Sequence, residues 1–375
     1  MADISFFRRV FRFRTIMVIL TVGLMVALLF SYLSCFIHPS TIPGIPLFGL
    51  GYWIISLFYL VILIIWAIAR SRWSLIMLGL FLLGGKLHFR TFSLGWDEEN
   101  EQQRTELKVS SYNVRLFDLY NPSKSDALKT RNQIFDYLKN QDADVYCIQE
   151  YYHQDPPTPF KTKDTLMKLL KTPRMHARTS ITDAKRQEFG VAIFSRHKII
   201  AQGEVSFSAI NKTNNYCVYI DLVKNKDTFR VYNVHLQSIR LQKDDYALFN
   251  EQNIQSGEEN SRLFNLTQKI VRAYPVRAEQ TEKVVEHIKQ SPYPVIVCGD
   301  FNDTPMSYCY NQYASILTDA FRNTSKGLGI TYAGKVPAGR IDYIFHSNSL
   351  GSRNFEIQKE KLSDHYGISC TLFPH

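Results

Sequence analysis

The sequence VIVCGDFND at residues 295–303 leads from a strand-like apolar run directly into acidic and amide side chains. A short run rich in Val and Ile that is bounded by turn residues predicts a buried strand. A strand-like run with a polar group at one end recurs in SYNVRLF at 111–117, VYCIQE at 145–150, VYNVHLQS at 231–238, RIDYIF at 340–345 and LSDHYG at 362–367. The chain therefore repeats one local pattern along most of its length.

The polar groups at these strand ends are the candidate site residues. One carboxylate at a strand end does not indicate a functional site, because strand ends are exposed and accommodate any polar residue. Several such ends indicate one shared rim at which the groups converge. The candidates are Asn113, Glu150, His235, Asp300, Asn302, Asp342, Asp364 and His365.

The patterns between these motifs predict a mixed α/β domain with enough strands for two sheets. Helical spacing of apolar residues predicts helices over residues 126–140, with Asp126 as the N-cap, and over 277–290. Residues 242–262 are rich in Asn, Gln, Asp and Glu, and we interpret them as a solvated loop or, less often, a lid. Strand-like runs occupy residues 107–113, 145–149, 190–195, 217–223, 229–235, 295–298, 340–345 and 367–372.

The ordered motifs SYNV, IQE, GVAIFSR, NVHL, GDFN, RIDYIF and SDH resemble the endonuclease/exonuclease/phosphatase superfamily, which has the DNase-I-like fold. The resemblance extends over about residues 107–373. It implies a four-layer α/β sandwich, with two packed sheets, helices outside them and an active site at one end. The NVHL motif is similar to the DNase-I-like, sphingomyelinase-like and phosphatase branches. The resemblance therefore implies that His235 contacts the phosphate or protonates the leaving group.

Hydrolysis of a phosphoester requires a cation on the phosphate, an activated water and stabilisation of charge on the phosphoryl oxygens. Asparagine and carboxylate oxygens are hard ligands that suit Mg²⁺ or Mn²⁺. We expect Glu150 to be the primary metal ligand, with Asn113 beside it. Asp364 is expected to be a second ligand or an orienting acid. Taken alone, Glu150 would be an exposed strand-end acid and Asn113 a turn cap.

His365 is the candidate for the base that prepares the attacking water, or for a contact to the phosphate, because imidazole titrates near neutral pH. Asp342 is expected to hold the orientation of that ring. Asp300 is expected to orient the water or the metal, and Asn302 to donate to a phosphoryl oxygen. If the chain is extended there, the side chains of Asp300 and Asn302 point to the same side of the strand.

Two arginines flank these motifs. Arg115 follows SYNV and Arg340 opens RIDYIF. Either guanidinium is suited to contact a substrate phosphate, and a surface salt bridge is the alternative for both.

We interpret residues 1–90 as a membrane anchor. Residues 15–37 and 47–69 are uncharged apolar stretches of about 23 residues each, enough to cross a hydrocarbon core of roughly 30 Å. Residues 73–89 form a shorter stretch that we interpret as a third span, with an interfacial helix as the alternative. Residues 91–106 are polar and are interpreted as a tether, which leaves 107–375 as the catalytic domain.

The distribution of basic residues predicts the orientation of the anchor. Arginines cluster at positions 8–14, before the first stretch, and at 70–72, between the second and third stretches. Basic clusters of this kind face the cytoplasm. Three spans therefore place the catalytic domain on the non-cytoplasmic side of the cell membrane, whereas two spans would place it inside.

The net charge of +10 belongs mainly to the anchor, since residues 1–90 hold eight basic residues and one acidic residue. The rest of the chain holds 36 basic and 33 acidic residues, so it lacks the strong basic excess of domains that neutralise many phosphates. The six cysteines fit no CxxC metal pattern. Cys147 and Cys298 lie in apolar runs and are interpreted as buried free thiols, with disulfides as the alternative.

The leading hypothesis is Mg²⁺- or Mn²⁺-dependent hydrolysis of a phosphomonoester or phosphodiester at the membrane. The substrate is a lipid headgroup, a nucleotide or a nucleic acid, and no obligatory protein partner is expected. The first alternative is a surface endonuclease or exonuclease acting on DNA or RNA. The second is an inactive membrane scaffold, which would have lost at least one of the candidate site residues, whereas all eight are present.

Overall fold

The computed structural model forms an N-terminal group of helices followed by a domain built on two mixed six-stranded sheets. The structure describes residues 2–96, 105–182, 186–207, 215–239, 256–334 and 338–375.

The strands form two large sheets and one small one. The first sheet contains, from edge to edge, β13 (Leu350–Ile357), β14 (Ile368–Pro374), β2 (Leu107–Asn113), β3 (Val145–Gln154), β5 (Gln187–Ser195) and β4 (Arg174–Thr182). The second sheet contains β10 (Thr318–Asp319), β12 (Asp342–His346), β9 (Val295–Asp300), β8 (Asp227–His235), β7 (Tyr216–Lys224) and β6 (Lys198–Val205). The small sheet pairs β1 (Ser93–Leu94) with β11 (Lys326–Gly327).

Helices cover the outer faces of the large sheets. The N-terminal helices are α1 (Ala2–Leu33), α2 (Pro46–Leu50), α3 (Tyr52–Ile68), α4 (Arg72–Leu83) and α5 (Gly85–Thr91). The sheet domain adds α6 (Lys124–Gln141), α7 (Thr162–Leu169), α8 (Ser256–Lys289), α9 (Tyr308–Ala314) and α10 (Ala320–Thr324). Side chains of α6 and α7 pack on the first sheet, and those of α8 and α9 pack on the second. The predicted four-layer sandwich is confirmed.

The core between the two sheets is made of fully buried aliphatic side chains. Val109 and Ile193 come from the first sheet, and Val231 and Ile296 come from the second. Each such side chain contributes about 1.5–3 kcal/mol when it is removed from water. All six cysteines are buried and free, which confirms the prediction made for Cys147 and Cys298.

The topology brings four strand ends to one rim. β2 is parallel to β3 in the first sheet, and β8 is parallel to β9 in the second. Helices α6 and α8 make the two crossovers. Because the carboxyl ends of parallel strands meet at one edge of a sheet, each pair presents two ends side by side.

Two buried amides join the sheets directly beneath this rim. Gln149 Nε2 donates to Asn233 Oδ1 at 2.6 Å. Asn233 Nδ2 donates to the carbonyls of Ile148 at 3.0 Å and Ala192 at 2.9 Å. Both side chains are fully buried, so each polar group depends on its partner. The pair therefore fixes the position of β3 relative to β8.

Two sequence-based helix assignments need correction. The N-cap of α6 is Ser123, whose hydroxyl accepts from the backbone N–H of Asp126 at 3.3 Å, so the predicted Asp126 cap is wrong. Asp126 instead lies in the first turn, where the helix dipole favours a carboxylate. The predicted loop at 242–262 is wrong from Ser256 onward, because α8 begins there. Residues 242–255 lie outside the described residues.

The N-terminal helices are shorter than predicted. Among the described helices, Arg14–Leu33 alone is long and apolar enough to cross a bilayer, by length and composition. The second predicted stretch divides at Gly51 into α2 and the 17-residue α3. The third divides at Gly84, which ends the 12-residue α4. A Cβ on Gly84 would lie 2.4 Å from the ring of Tyr32, so only glycine allows this close contact with α1.

The helical region packs directly on the sheet domain. Ser34 Oγ donates to the carbonyl of Met306 at 2.8 Å. Arg90 donates to Asn311 Oδ1 at 2.8 Å. The predicted tether at 91–106 is partly wrong, because β1 lies within it and pairs with β11.

Arg340 joins the same interface and is not a surface residue. It is 2% exposed, and its Nη1 donates to Asp319 Oδ2 at 2.6 Å. Its Nη2 donates to the carbonyl of Arg90 at 2.6 Å. Both sequence-based interpretations, a phosphate contact and a surface salt bridge, are therefore wrong, and Arg340 ties α5 to the domain.

We expect Asn233→Ala to destabilise the protein. The substitution removes the side-chain donor to the buried carbonyls of Ile148 and Ala192, and it removes the nearest acceptor of Gln149 Nε2. Such losses cost about 1–3 kcal/mol each where no water compensates. Thermal unfolding of the full chain should show a midpoint lower by about 4 °C or more. Asn140→Ala on the exposed surface of α6 is the matched control, and an equal midpoint in both variants would contradict the role of the pair.

Candidate active site

Strand ends place five of the predicted residues at the shared rim. Asn113 ends β2, His235 ends β8 and Asp300 ends β9, while Glu150 lies in β3 one residue beyond the pairing partner of Asn113. Asp342 begins β12, which is antiparallel to β9 and pairs it with Asp300 in register. The convergence expected from the sequence is therefore produced by the two parallel pairs and one antiparallel neighbour.

Asp300 is the centre of this cluster. Its Oδ2 accepts from Asn113 Nδ2 at 3.0 Å and lies 3.6 Å from the Nε2 atoms of both His235 and His365. Its Oδ1 accepts from the backbone N–H of Asn302 at 2.8 Å. The side chain is 1% exposed, so these groups replace water around a buried carboxylate.

His365 and Asp342 form a buried pair beside Asp300. His365 Nδ1 lies 3.0 Å from Asp342 Oδ2 and 3.1 Å from Asp342 Oδ1. This contact directs Nε2 toward Asp300. Burial disfavours the charged imidazolium, but the carboxylates of Asp342 and Asp300 outweigh it and raise the pKa of His365 to about 10. The ring is therefore a cation at neutral pH in this arrangement.

Backbone pairing fixes the loop that carries Asp364 and His365. The N–H of Ala333 donates to the carbonyl of Asp364 at 2.7 Å, and the N–H of Tyr366 donates to the carbonyl of Thr331 at 2.7 Å. The ring of Tyr332 meets the ring of His365 edge-on at 5.2 Å. The loop thus holds His365 in place without a regular strand.

Glu150 occupies a strained position in β3. Its φ of +47° lies in the left-handed region, within the register irregularity between Ile148 and Tyr151. Such a conformation costs about 1–3 kcal/mol and persists where the surroundings enforce it. The irregularity turns the Glu150 side chain into the cleft, where Asn113 Nδ2 lies 3.4 Å from Oε1. Burial raises the pKa of Glu150, and His235 opposes that effect.

The segment after β2 is left-handed over four residues. Arg115, Leu116, Phe117 and Asp118 all have φ between +46° and +60°. The turn lines a cavity of about 420 Å³ that also reaches Glu150. The Arg115 side chain is exposed and its Nε lies 3.9 Å from Asp364 Oδ2. A contact between Arg115 and substrate therefore stays a prediction.

The cleft itself has a volume of about 220 Å³. Its walls include Glu150, Asp300, Asn302, Asp364 and His365. The other three predicted residues lie behind this wall: Asn113 and His235 contact Asp300, and Asp342 contacts His365.

The local geometry at Asn302 differs from the expectation. The chain is not extended after Asp300, since Asn302 has φ of +54° and its N–H donates to Asp300 Oδ1. Its Nδ2 donates to the carbonyl of Leu236 at 3.1 Å. A tight turn, and not an extended strand, therefore places the side chains of Asp300 and Asn302 in the cleft wall.

The donor set fits a hard divalent cation. Ligand atoms of Asp300, Asp342 and His365 all lie within 4.8 Å of one another. Glu150 adds a second carboxylate, and Asn113 Nδ2 donates to both Glu150 Oε1 and Asp300 Oδ2, while Asn113 Oδ1 accepts from the N–H of Arg115. The Nε2 of His235 is buried without a hydrogen-bond partner, which is unusual for a polar atom unless it serves a ligand. His365 Nδ1 is held by Asp342, so the carboxylates of Asp300 and Glu150 are the donors that fit such a cation, and the predicted ligand set of Glu150, Asn113 and Asp364 stays a prediction.

Sequence analysis missed Arg277, which supports the cleft from behind. It is fully buried in α8, and its Nε donates to the carbonyl of Gln237 at 3.0 Å. Its Nη1 lies 3.4 Å from Asp303 Oδ2. The guanidinium therefore holds the chain just after His235 and just after Asn302. A signal existed, because Arg277 lies seven residues before Val284, on the apolar face of the helix.

Sequence profiles match two regions of the chain. The Endonuclease/Exonuclease/phosphatase family matches residues 110–365. A domain of unknown function (DUF8431) matches residues 14–91. No curated protein matches the sequence.

Several solved structures share the fold. One is an endonuclease/exonuclease/phosphatase from Beutenbergia cavernae DSM 12333, with 16% identity and a TM-score of 0.51 over 72% of each chain. A humanized D. rerio TDP2 has 19% identity and a TM-score of 0.50, over 71% of this chain and 98% of the other. The human Nocturnin catalytic domain with bound sulfate anion has 17% identity and a TM-score of 0.50, over 74% and 99%.

At these identities the structures show the fold, while the profile match covers more than half of the sequence and includes every candidate site residue. The chain belongs to the Endonuclease/Exonuclease/phosphatase family.

Proposed function

We propose that the chain is a membrane-anchored, divalent-metal-dependent phosphoesterase. Enzymes of this family hydrolyse phosphoesters, nucleic acids among them. One observation carries the proposal. At the edge of one cleft, Asp300 is surrounded by Asn113, His235, His365 and the N–H of Asn302. A buried carboxylate flanked by two histidines and open to a cleft is costly for stability and useful for chemistry.

The reaction is attack of water on phosphorus. The water oxygen forms a bond to phosphorus, the bond to the leaving oxygen breaks, and one proton passes to that oxygen. His365 fits the role of a cation that donates from Nε2 to a phosphoryl or leaving oxygen, since the pKa of its imidazolium is raised to about 10. Of the two roles considered for His365, this favours the phosphate contact over the neutral base.

The remaining residues bind and orient. Asp342 holds the His365 ring, and Asp300 is placed to orient the attacking water or to share a cation. His235 faces Asp300 from the opposite strand and has an uncommitted Nε2 for a phosphoryl or leaving oxygen. Asn302 is partly engaged with the carbonyl of Leu236, which leaves one amide hydrogen for the substrate.

Mg²⁺ or Mn²⁺ would be held by Glu150 and Asp300, with Asn113 beside them and Asp364 at the mouth. When bound, the cation neutralises charge on the phosphoryl oxygens and favours ionisation of water. Its charge would also counter the effect of burial on the pKa of Glu150.

A nuclease is the second candidate function, because the matching family is described as one of endonucleases and exonucleases as well as phosphatases. The nearly balanced charge outside the anchor does not favour a long nucleic acid as substrate. An inactive scaffold is disfavoured, because all eight candidate residues are present and seven of them lie in one contact network.

The N-terminal helices support membrane attachment. Their apolar side chains are exposed along the helices, as they would be toward lipid. Examples are Ile19 on α1, Leu57 and Phe58 on α3, and Leu75 and Leu82 on α4, each at least half exposed. We propose that α1 spans the membrane and that α3 and α4 accompany it, with the catalytic domain on the non-cytoplasmic side.

Removal of divalent metal should abolish hydrolysis of bis-4-nitrophenyl phosphate or 4-nitrophenyl phosphate by the full chain, and Mg²⁺ or Mn²⁺ should restore it. Glu150→Gln should lower kcat/KM by about 100-fold or more at equal metal concentration, because it removes a charged ligand at nearly constant size. Glu286→Gln on the exposed face of α8 serves as the control. Turnover by Glu150→Gln equal to that of the control would exclude Glu150 from the site.

Asp342→Asn tests the role of His365. The carboxylate raises the pKa of His365, so its removal should lower that pKa. If the imidazolium is the active form, the loss of activity at high pH should begin at lower pH in the variant. We also expect kcat to fall by about 10- to 100-fold. The pH dependence of kcat, with Asp136→Asn on α6 as control, is the measurement, and an unshifted basic limb would argue against a cationic His365.

The orientation of the chain is testable in cells. A reporter fused after His375 should be active only outside the cytoplasm, because one crossing by α1, or three by α1, α3 and α4, would separate the N-terminal arginines from the sheet domain. An alkaline phosphatase fusion and a green fluorescent protein fusion report opposite sides. A fluorescent green fluorescent protein fusion together with an inactive alkaline phosphatase fusion would show that the helices cross an even number of times.

A further inference from the structure

A second cavity opens beside the catalytic cleft. It has a volume of about 370 Å³ and shares four wall residues with the cleft: Leu50, Thr304, Tyr332 and Ala338. Its other walls include Trp53, Met306, Leu328 and Ile330. We call this cavity the apolar pocket. A ligand whose phosphate lies in the cleft can therefore extend directly into a hydrophobic space.

The apolar pocket is built by both parts of the chain. Gly49, Leu50 and Trp53 come from α2 and α3, whereas Leu328 and Ile330 come from the sheet domain. A Cβ on Gly49 would lie 2.1 Å from the carbonyl oxygen of Met306, so a larger residue would push α2 away from the domain. Glycine at this position thus closes the wall between the helices and the cleft.

The chemistry of the walls distinguishes an apolar chain from a nucleobase. A base would need hydrogen bonds to its edges. Among the described wall residues, only Arg340 has a charged side chain, and its guanidinium is already bonded to Asp319 and to the carbonyl of Arg90. The walls therefore suit hydrocarbon better than a base.

The position of the apolar pocket points to the source of the chain. Trp53, at its wall, is followed on α3 by Ile54, Leu57 and Phe58, which are 41–57% exposed. Leu328 and Ile330 are 49% and 50% exposed at the rim. A continuous apolar surface thus runs from the helices that we assign to the membrane into the pocket and on to the cleft.

We propose that the substrate is a phosphoester of a membrane lipid, whose phosphate enters the cleft while its apolar chain occupies the apolar pocket. The proposal rests on the proposed phosphoesterase function and narrows its substrate class. It assigns the N-terminal helices a part in substrate binding in addition to attachment.

The test is the dependence of binding on chain length. Methyl, butyl and octyl phosphate are titrated into the full chain in lipid nanodiscs with Mn²⁺, and the dissociation constants are measured by calorimetry against empty nanodiscs. Each buried methylene contributes roughly fourfold in affinity, so octyl phosphate should bind at least about 100-fold more tightly than methyl phosphate. Equal affinities would overturn the proposal.

Variants separate the pocket from simple partitioning into lipid. Ile330→Asp, or Leu328→Asp if the first variant fails to fold, should reduce the octyl-to-methyl affinity ratio about tenfold or more. Ile200→Asp, an exposed apolar position on β6 outside the pocket, should keep the wild-type ratio. A ratio that neither rim variant changes would also overturn the proposal.

Turnover measured in parallel distinguishes the two proposals. Hydrolysis of bis-4-nitrophenyl phosphate or 4-nitrophenyl phosphate without any chain-length effect on binding would support the phosphoesterase and reject the lipid substrate. A chain-length effect without hydrolysis of those compounds, or of phosphatidylcholine and phosphatidylglycerol vesicles, would keep the apolar pocket as a lipid site and reject the enzyme.

Discussion

The carboxylate of Asp300 imposes the strictest constraint on the molecule. It is buried, and a buried carboxylate without hydrogen-bonding partners would cost the fold several kcal/mol. It stays compatible with the fold because Asn113 on β2, His235 on β8 and His365 in the loop at 363–366 each bring a nitrogen close to it. Both sheets must therefore keep a fixed relative position, which is the role of the buried Gln149–Asn233 pair beneath it.

Much of this arrangement follows from the sequence. β2 has the predicted bounds, and the strands that carry Glu150, His235, Asp300 and Asp342 were all found, because dense Val, Ile and Tyr runs ended by polar residues are typical of buried strands. The order of those motifs then predicted the two-sheet sandwich. Residues far apart in the chain met as expected because parallel pairs align their carboxyl ends, a rule of topology that needs no side-chain detail.

The features that sequence analysis missed depend on tertiary contacts. β4 and β6 are edge strands with many exposed positions, so they lack an apolar run. The left-handed conformation of Glu150 is imposed by its neighbours rather than by its residue type, whereas asparagine at position 302 adopts that region more readily. Arg340 was expected at the surface because arginine usually lies there, but a buried Asp319 and a carbonyl of α5 provide its partners.

The N-terminal helices pack against the sheet domain and are not joined to it by a flexible tether alone. A flexible tether would let the catalytic domain move freely above the bilayer, and any apolar cavity near the cleft would have to be closed by the domain alone. Instead β1 pairs with β11, Arg90 binds Asn311, and α2 lies so close to Met306 that only Gly49 fits. Leu50 then contributes to the wall of the cleft that holds Glu150 and His365. Because the helices complete that wall, the position of the N-terminal helices determines the shape of the cleft, and the apolar surface of α3 lies at a defined distance from Asp300.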